Sequence, residues 1–562
     1  MSNKRDGMLI YAVLLVAAFS FRVTVARVLA NDAPEDGRVY SQLARNLLDQ
    51  HVYSHESEPP YVPSLIRLPG YPLFIAGVYA VFGHGDDRGV RIVQALLDTA
   101  TCALIALIAF LWEPDQKLKR RTSIAALALA AVCPFTTIYV ATILTETPTT
   151  FLAVAMCLTA TLGFKATKQR ASLLLWIATG LLAGIAVLFR PDSGLFALAI
   201  GVTLVVTMLL RPSDVKLTRK GDEMLYRFSR ASYLGAVFSL AFCLMLVPWT
   251  VRNFQVFRVF QPLAPAHAEM PGEFVPRGYL SWLRTWLDDG RYLGPVLWTL
   301  DAAPLKLDAF PDRAFDSAEE KLRVAALLER YNHPPEQLDP FAPDSEPVTD
   351  ANPAGEPTQH PDESARAGDK PSPDQESAEP DETENGEADS TDEEATAEQE
   401  TDQAVEMTPE IDAGFAQLAQ ERIARHPIRY YFLLPARRAV SLWVDTHSQY
   451  YPFEGELLPF SHLDPKTHQQ FWLPLFTLLT LVYTGLGIAG GWILWKRGQL
   501  EVRKWVLLAG LMIFLRIGFF GTLENPEPRY VVEVFPFLAI LGGIALTRIS
   551  DLIRARHFRF GG

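Results

Sequence analysis

Cysteine is scarce in this chain. Four stand among 562 residues (Cys102, Cys133, Cys157 and Cys243), all inside apolar runs and none in a CxxC pair. That excludes a disulfide framework and a cysteine zinc site, and leaves packing as their expected role. Charge is also sparse, at 20% of residues against 49% hydrophobic ones, too little for an ordinary soluble protein of this length. Cations are nearly missing from one stretch: residues 341–410 hold 23 Asp and Glu against only Arg366 and Lys370, a net −21. Because the whole chain sums to −13, the other 492 residues carry +8. The acidic total therefore says nothing about partners, and no nucleic acid is expected among them.

What is present instead is a series of long apolar runs. A span needs about 20 mostly apolar residues to cross a hydrocarbon core of about 30 Å. Ten runs qualify, at about 8–30, 90–112, 122–143, 147–164, 172–190, 194–210, 232–250, 471–495, 504–522 and 530–549. Gly70 to Gly83 is excluded, because 14 helical residues reach only part of the way, and it reads as an interfacial or re-entrant helix. With ten spans, Lys4 and Arg5, Lys117–Arg121, Lys165–Arg170, Arg211–Arg230, Lys496–Lys504 and the C-terminal RARHFRF all fall on one face, which is cytoplasmic by the positive-inside rule. Val28-Leu29-Ala30 offers a small-residue cleavage pattern, but Arg22 and Arg27 interrupt the region before it. The first run is read as a retained span, and Asn31 onward lies outside in either case. The expectation is an all-α polytopic membrane protein with both termini cytoplasmic.

Four regions follow from this reading. They are an N-terminal membrane module 1–255 with a first outer loop 31–89, an outer region 256–340 and 411–470, an acidic insert 341–410, and C-terminal membrane helices 471–562. The insert is rich in Pro, Ser, Thr, Gln and Glu and nearly lacks aromatic residues, so disorder is expected there. Two helices flank it: SAEEKLRVAALLERY, with a capping-box pattern at Ser317 and Glu320 and a stop at His333-Pro334, and IDAGFAQLAQERIAR, which stops at His426-Pro427. Ten of the eleven histidines lie outside, His51 and His55 four apart, but they are not read as a metal site. Trp282, Trp286, Trp298 and Trp443 are candidate sugar-stacking platforms, with core packing as the commoner fate of such residues.

Ionisable groups within spans are costly, about 2.5–3.5 kcal/mol each on insertion scales, and so usually face a cavity or a partner. Here Arg22, Asp98, Arg190 with Asp192, Arg516 and Glu533 all fall in the outer half of their spans, and the short outer turns add Glu146 and Arg529. Polar groups from distant parts of the chain at one depth suggest a water-accessible site opening outward. In the first outer loop, EDGRVYSQLARNLLDQ places Tyr40, Leu43, Ala44, Leu47 and Leu48 at helical spacing, giving a helix suited to the membrane surface. Asp36 opens it, where an N-cap is the ordinary reading, although Val39 stands where a capping-box Glu or Gln would be. Arg67 follows, and a planar guanidinium suits a phosphate.

These pieces resemble the polyprenyl-phosphate-dependent glycosyltransferases of the GT-C fold, in the bacterial branch similar to protein O-mannosyltransferases (glycosyltransferase family 39) and the lipid A aminoarabinose transferase. The resemblance rests on Asp36-x-x-x-Tyr40 with LARNLL, RLPGYPLFIAGVYAVFG, VRIVQALLD, ILTETP, VLFRPD, VPWTVRN and EPRY, and covers the first 255 residues and about the last 60. It implies transfer of a sugar from an undecaprenyl-phosphate-type donor to a lipid, glycan or protein acceptor, on the outer face of a bacterial plasma membrane. Asp36 would be the catalytic base and Glu146 the second outer-loop acid. Arg67, Arg529, Arg190 and Arg252 would meet the lipid phosphate. A lipid-phosphate leaving group needs cations more than an acid, so one base and inversion at the sugar are implied. A WWD and an outer-loop DxD are missing, which argues against oligosaccharide transfer to Asn. No cofactor is implied, and dependence on a divalent cation stays open. Two other readings share these features: a flippase or transporter for a lipid-linked glycan, and an O-antigen polymerase or ligase-like enzyme.

Overall fold

The computed structural model describes residues 2–30, 35–210, 220–267, 269–334, 405–445, 451, 457, 463–466, 468–496, 499–525 and 527–560. Most of the acidic stretch expected to be disordered lies outside the described residues. Its last six residues do not: Met407 is buried, and Thr408 caps the helix that begins at Pro409.

Among the described residues the protein is helical throughout, and nine helices are long and apolar enough to cross a membrane. They are Gly7–Val28, Asp87–Trp112, Glu146–Lys165, Gln169–Phe189, Pro191–Leu210, Asp222–Phe257, Gln469–Lys496, Leu500–Gly521 and Pro528–Arg554. The run at 122–143 differs from the simple span expected of it. It is two helices, Lys119–Ala131 and Pro134–Ala141, bent by 51°. Pro134 has no N–H to donate and cannot continue the first helix, so at the break the Ala130 carbonyl accepts from Cys133 N at 3.3 Å, and the carbonyls of Ala130 and Ala131 have room for further donors.

Arg22 supplies them. Its Nη2 donates to Ala130 O and its Nη1 to Ala131 O, each at 3.1 Å, and its Nε reaches Asp98 Oδ2 at 2.6 Å. Arg22 is 0% and Asp98 1% exposed. The pair was expected at the water-accessible site, and the structure corrects this. It is a sealed clamp that satisfies a broken helix where no water can.

Successive spans alternate, so two sets of span ends collect at opposite ends of the bundle. One holds the basic loops: Arg121 pairs with Asp551, Arg548 lies 3.5 Å from Asp115, and Lys165 lies over the Trp505 ring. The other holds the polar turns after Ala141, Phe189 and Gly521, covered by α2 (Glu35–Asp49) and α3 (Gly70–Phe82). Helix α3 is 13 residues long, as the excluded run requires, and packs Tyr71, Ile75 and Tyr79 inward. A Cβ at Gly70 would stand 2.6 Å from Leu188 O, so only glycine lets this loop sit against the end of Gln169–Phe189.

A second apolar core lies outside the bundle, formed by Arg277–Leu283, Ala318–Asn332 and Pro409–Arg425. Ser317 caps the second of these by accepting from Glu320 N at 3.1 Å, as its pattern predicts. Trp282 and Trp286 are core residues here, and Trp443 stacks on Phe535. Three cysteines are buried, whereas Cys243 lies exposed on the long helix Lys220–Phe257 and does not pack as expected.

Candidate active site

A cavity of about 590 Å³ opens where the polar turns meet, a size suited to a small substrate. Asp36, Arg67, Glu146, Arg190 and Arg529 all line it, although they come from five separate parts of the sequence.

Asp36 lies in the first turn of α2, one turn before Tyr40, and its carboxylate is turned to two guanidiniums, not spent on capping. Arg67 Nη2 donates to Oδ1 at 2.7 Å, and Arg529 Nη2 lies 3.5 Å from Oδ2. Burial pushes the Asp36 carboxyl up, but Arg529 and Arg67 outweigh it and hold the group below the usual carboxylate range. Burial, with the Asp36 charge beside it, pushes the Tyr40 phenol up to about 12, so it stays protonated.

Arg67 is placed by its loop. Tyr53 OH donates to Arg67 O and Leu68 O, each at 3.1 Å, and Asn46 Nδ2 donates to Ser54 O and Glu56 O, each at 2.7 Å. Arg252, expected on the phosphate, is not among the cavity-lining residues. It donates to Ser64 O at 2.7 Å and lies over the rings of Tyr53, Trp249 and Phe257, so it ties the Arg67 loop to the long helix.

Below this level the charges alternate. Glu146, the first residue of its helix, accepts from Arg190 Nη1 on Oε1 at 3.1 Å, while Oε2 is buried without a hydrogen-bond partner among the described residues. Arg190 also reaches Asp192 Oδ1 at 3.1 Å and Glu533 Oε1 at 3.3 Å. Arg516 lies deeper, 2.6 Å from Asp192 Oδ2 and 2.9 Å from Glu533 Oε2. Glu533 and Arg516 are fully buried, so they support Arg190 and do not face the cavity.

Three lining residues escaped the sequence reading of the site. Glu527 takes Arg529 Nε at 2.6 Å and the Tyr530 hydroxyl at 2.7 Å, fixing the Arg529 fork. Its signal was an acid two residues before Arg529 in NPEPRY. Asn525 and His267 gave none. Trp298 alone among the four singled-out tryptophans lines the cavity. Four carboxylates (Glu35, Asp36, Glu146, Glu527) thus face three guanidiniums. Among the described residues no group of three or more His, Cys, Asp and Glu is placed to hold a metal ion.

Residues 62–249 match the family model of the dolichyl-phosphate-mannose-protein mannosyltransferases. That interval contains Arg67, Glu146 and Arg190 and excludes Asp36 and Arg529. No curated protein matches the sequence at a significant level. Among solved structures, the chain is similar to the Archaeoglobus fulgidus oligosaccharyltransferase in complex with zinc and sulfate, at 11% identity and a TM-score of 0.44, over 97% of this chain and 50% of that one. It is also similar to ArnT from Cupriavidus metallidurans bound to undecaprenyl phosphate, at 14% identity and a TM-score of 0.35, over 96% of this chain and 77% of that one. The chain spans about half the length of the oligosaccharyltransferase it matches, and at these TM-scores neither likeness carries an argument. Over residues 62–249, a third of its length, this chain of multiple membrane-length helices is similar to the dolichyl-phosphate-mannose-protein mannosyltransferases.

Proposed function

We propose that the protein moves a sugar from a polyprenyl-monophosphate carrier to an envelope acceptor, with inversion, at the outer face of a bacterial plasma membrane. The observation that carries this is Asp36 set between Arg67 and Arg529 in one cavity, at the end of the bundle opposite the basic loops. By the positive-inside rule those loops are cytoplasmic, which puts both termini inside and the cavity outside.

The chemistry is a single displacement. The acceptor oxygen attacks the anomeric carbon while its proton passes to an Asp36 carboxylate oxygen. The bond between the anomeric carbon and the phosphate oxygen breaks, and its electron pair leaves with the carrier. The phosphate starts with one negative charge and ends with two, so fixed cations favour the products of bond breaking more than the reactants. Arg67 and Arg529 are placed to meet that charge, and Arg190 stands one layer deeper. Glu146 is placed to orient a hydroxyl of the sugar. No step is assigned to a metal ion.

Purified protein given polyprenyl monophosphate and diphosphate sugar donors tests this reading. Transfer from the monophosphate alone is expected, abolished by Asp36→Asn with membrane insertion intact. Transfer from the diphosphate alone would point to a polymerase or ligase-like enzyme instead, and full activity in Asp36→Asn would remove the base.

A further inference from the structure

The family match ends at residue 249, yet part of the cavity wall comes from beyond it: Ala264 to His267, Trp298, Asn525, Glu527, Arg529 and Tyr530. This wall says what the cavity accepts.

Trp298 ends a short turn, Gly294–Trp298, whose position is fixed from below. Val296 is 0% exposed within the second core and its carbonyl accepts from Tyr279 OH at 2.5 Å. Trp282 and Trp286 of the same module are buried, whereas Trp298 is 57% exposed and lines the cavity. A large flat ring held in contact with water at a cavity wall is a surface on which a ring-shaped ligand can pack.

Asn525 supplies the second element. Its Nδ2 donates to Glu527 Oε1 at 2.5 Å and lies 3.4 Å from the Tyr530 hydroxyl. That network fixes which way the amide points. Among the described residues its Oδ1 is left buried and unpartnered, and Glu146 Oε2, on a residue only 2% exposed, is in the same state elsewhere in the lining. A buried oxygen without a donor is costly unless something brings one. A hydroxyl is one group that can supply such a donor, and Trp298 lines the same cavity. A carbohydrate presents both at once: an apolar C–H face that packs on an indole, and a rim of hydroxyl donors.

We propose that the acceptor is a saccharide, bound with a ring on Trp298 and a hydroxyl donated to Asn525 Oδ1, leaving Glu146 Oε2 for the donor sugar. This rests on the glycosyl-transfer reading and names its acceptor class. A serine or threonine side chain has no ring face to cover Trp298. A lipid headgroup without a sugar ring would likewise leave Trp298 uncovered.

Saturation-transfer NMR on the full-length protein in nanodiscs, with methyl glycosides, disaccharides and a serine- and threonine-containing peptide, tests the proposal without any donor lipid. Saturation of saccharide ring protons is expected. Affinity should fall about ten-fold or more in Trp298→Ala and by less than about three-fold in Trp298→Phe, since the phenyl face replaces part of the indole. Thermal unfolding of each variant checks that the turn remains folded. Saturation of the peptide alone, of no ligand, or of saccharides equally in Trp298→Ala overturns the proposal. Asp36→Asn separates it from the parent reading: that variant should bind saccharide and transfer nothing. Saccharide binding together with undiminished transfer in Asp36→Asn removes the assigned base and leaves the acceptor site standing.

Discussion

Arg67 Nη2 stands 2.7 Å from Asp36 Oδ1, so the carboxylate proposed to take the acceptor's proton is already committed to a cation. The two are coupled through one charge. A donor phosphate arriving at Arg67 competes with Asp36 for the guanidinium and adds a negative charge nearby. Both effects favour the protonated carboxyl, so donor binding makes Asp36 a stronger base.

Arg67→Gln should therefore do two things. Donor KM rises about ten-fold or more, because a charge-assisted hydrogen bond of about 1.5–3 kcal/mol is lost. Asp36 is held below the usual carboxylate range with Arg67 present, so removing that cation disfavours the ionised form. The acid limb of kcat/KM should then move to higher pH. A pH-rate profile reads the shift, and a limb that stays in place would show that Asp36 is not the group titrating.

The buried ladder below the cavity makes a stability prediction. Arg516 is 0% exposed and touches Asp192 and Glu533, themselves linked through Arg190. Arg516→Met leaves an uncompensated buried carboxylate and should cost about 3–5 kcal/mol. Glu533→Gln placed on top of it should recover part of that loss, because the charge and its partner are then both gone. Thermal unfolding in nanodiscs measures both. A double variant no more stable than Arg516→Met would mean that the pair contributes through packing, not charge.

Depth was legible in the sequence and direction was not. A run of about 20 apolar residues marks a span, and position along it gives the depth of each charge. Arg22, Asp98, Arg190, Arg516 and Glu533 were placed at one level on that basis. Which way each side chain faces depends on packing around the helix axis, and this divided them: Arg190, Arg516 and Glu533 join beneath the cavity, while Arg22 and Asp98 close on a broken helix elsewhere. The same limit misplaced Arg252. Asp36 and Arg67 are 31 residues apart, and Asp36 and Arg529 are 493 apart. No periodicity links such residues, so only the family resemblance brought them together. Trp298, proposed as a platform, is indistinguishable in the sequence from Trp282 and Trp286, which the second core buries.

Arg22 tests that division. Arg22→Met leaves Asp98 buried without its cation and takes one donor from each of the Ala130 and Ala131 carbonyls, so stability should fall by about 3–5 kcal/mol. The clamp lines no part of the cavity that holds Asp36, so turnover per folded molecule should stay within about three-fold of the parent. Activity normalised to the folded fraction separates the two quantities. A large loss of normalised activity at unchanged stability would connect the clamp to the site after all.

Orientation can be read by cysteine labelling. Arg291 and Lys117 are both exposed, the first in the module around the second core and the second in the basic loop after Asp87–Trp112. In a Cys243→Ser background, a membrane-impermeant maleimide should label Arg291→Cys in intact cells and Lys117→Cys only after permeabilisation. The opposite labelling pattern would place the cavity in the cytoplasm and remove the outer-face acceptor from the proposal.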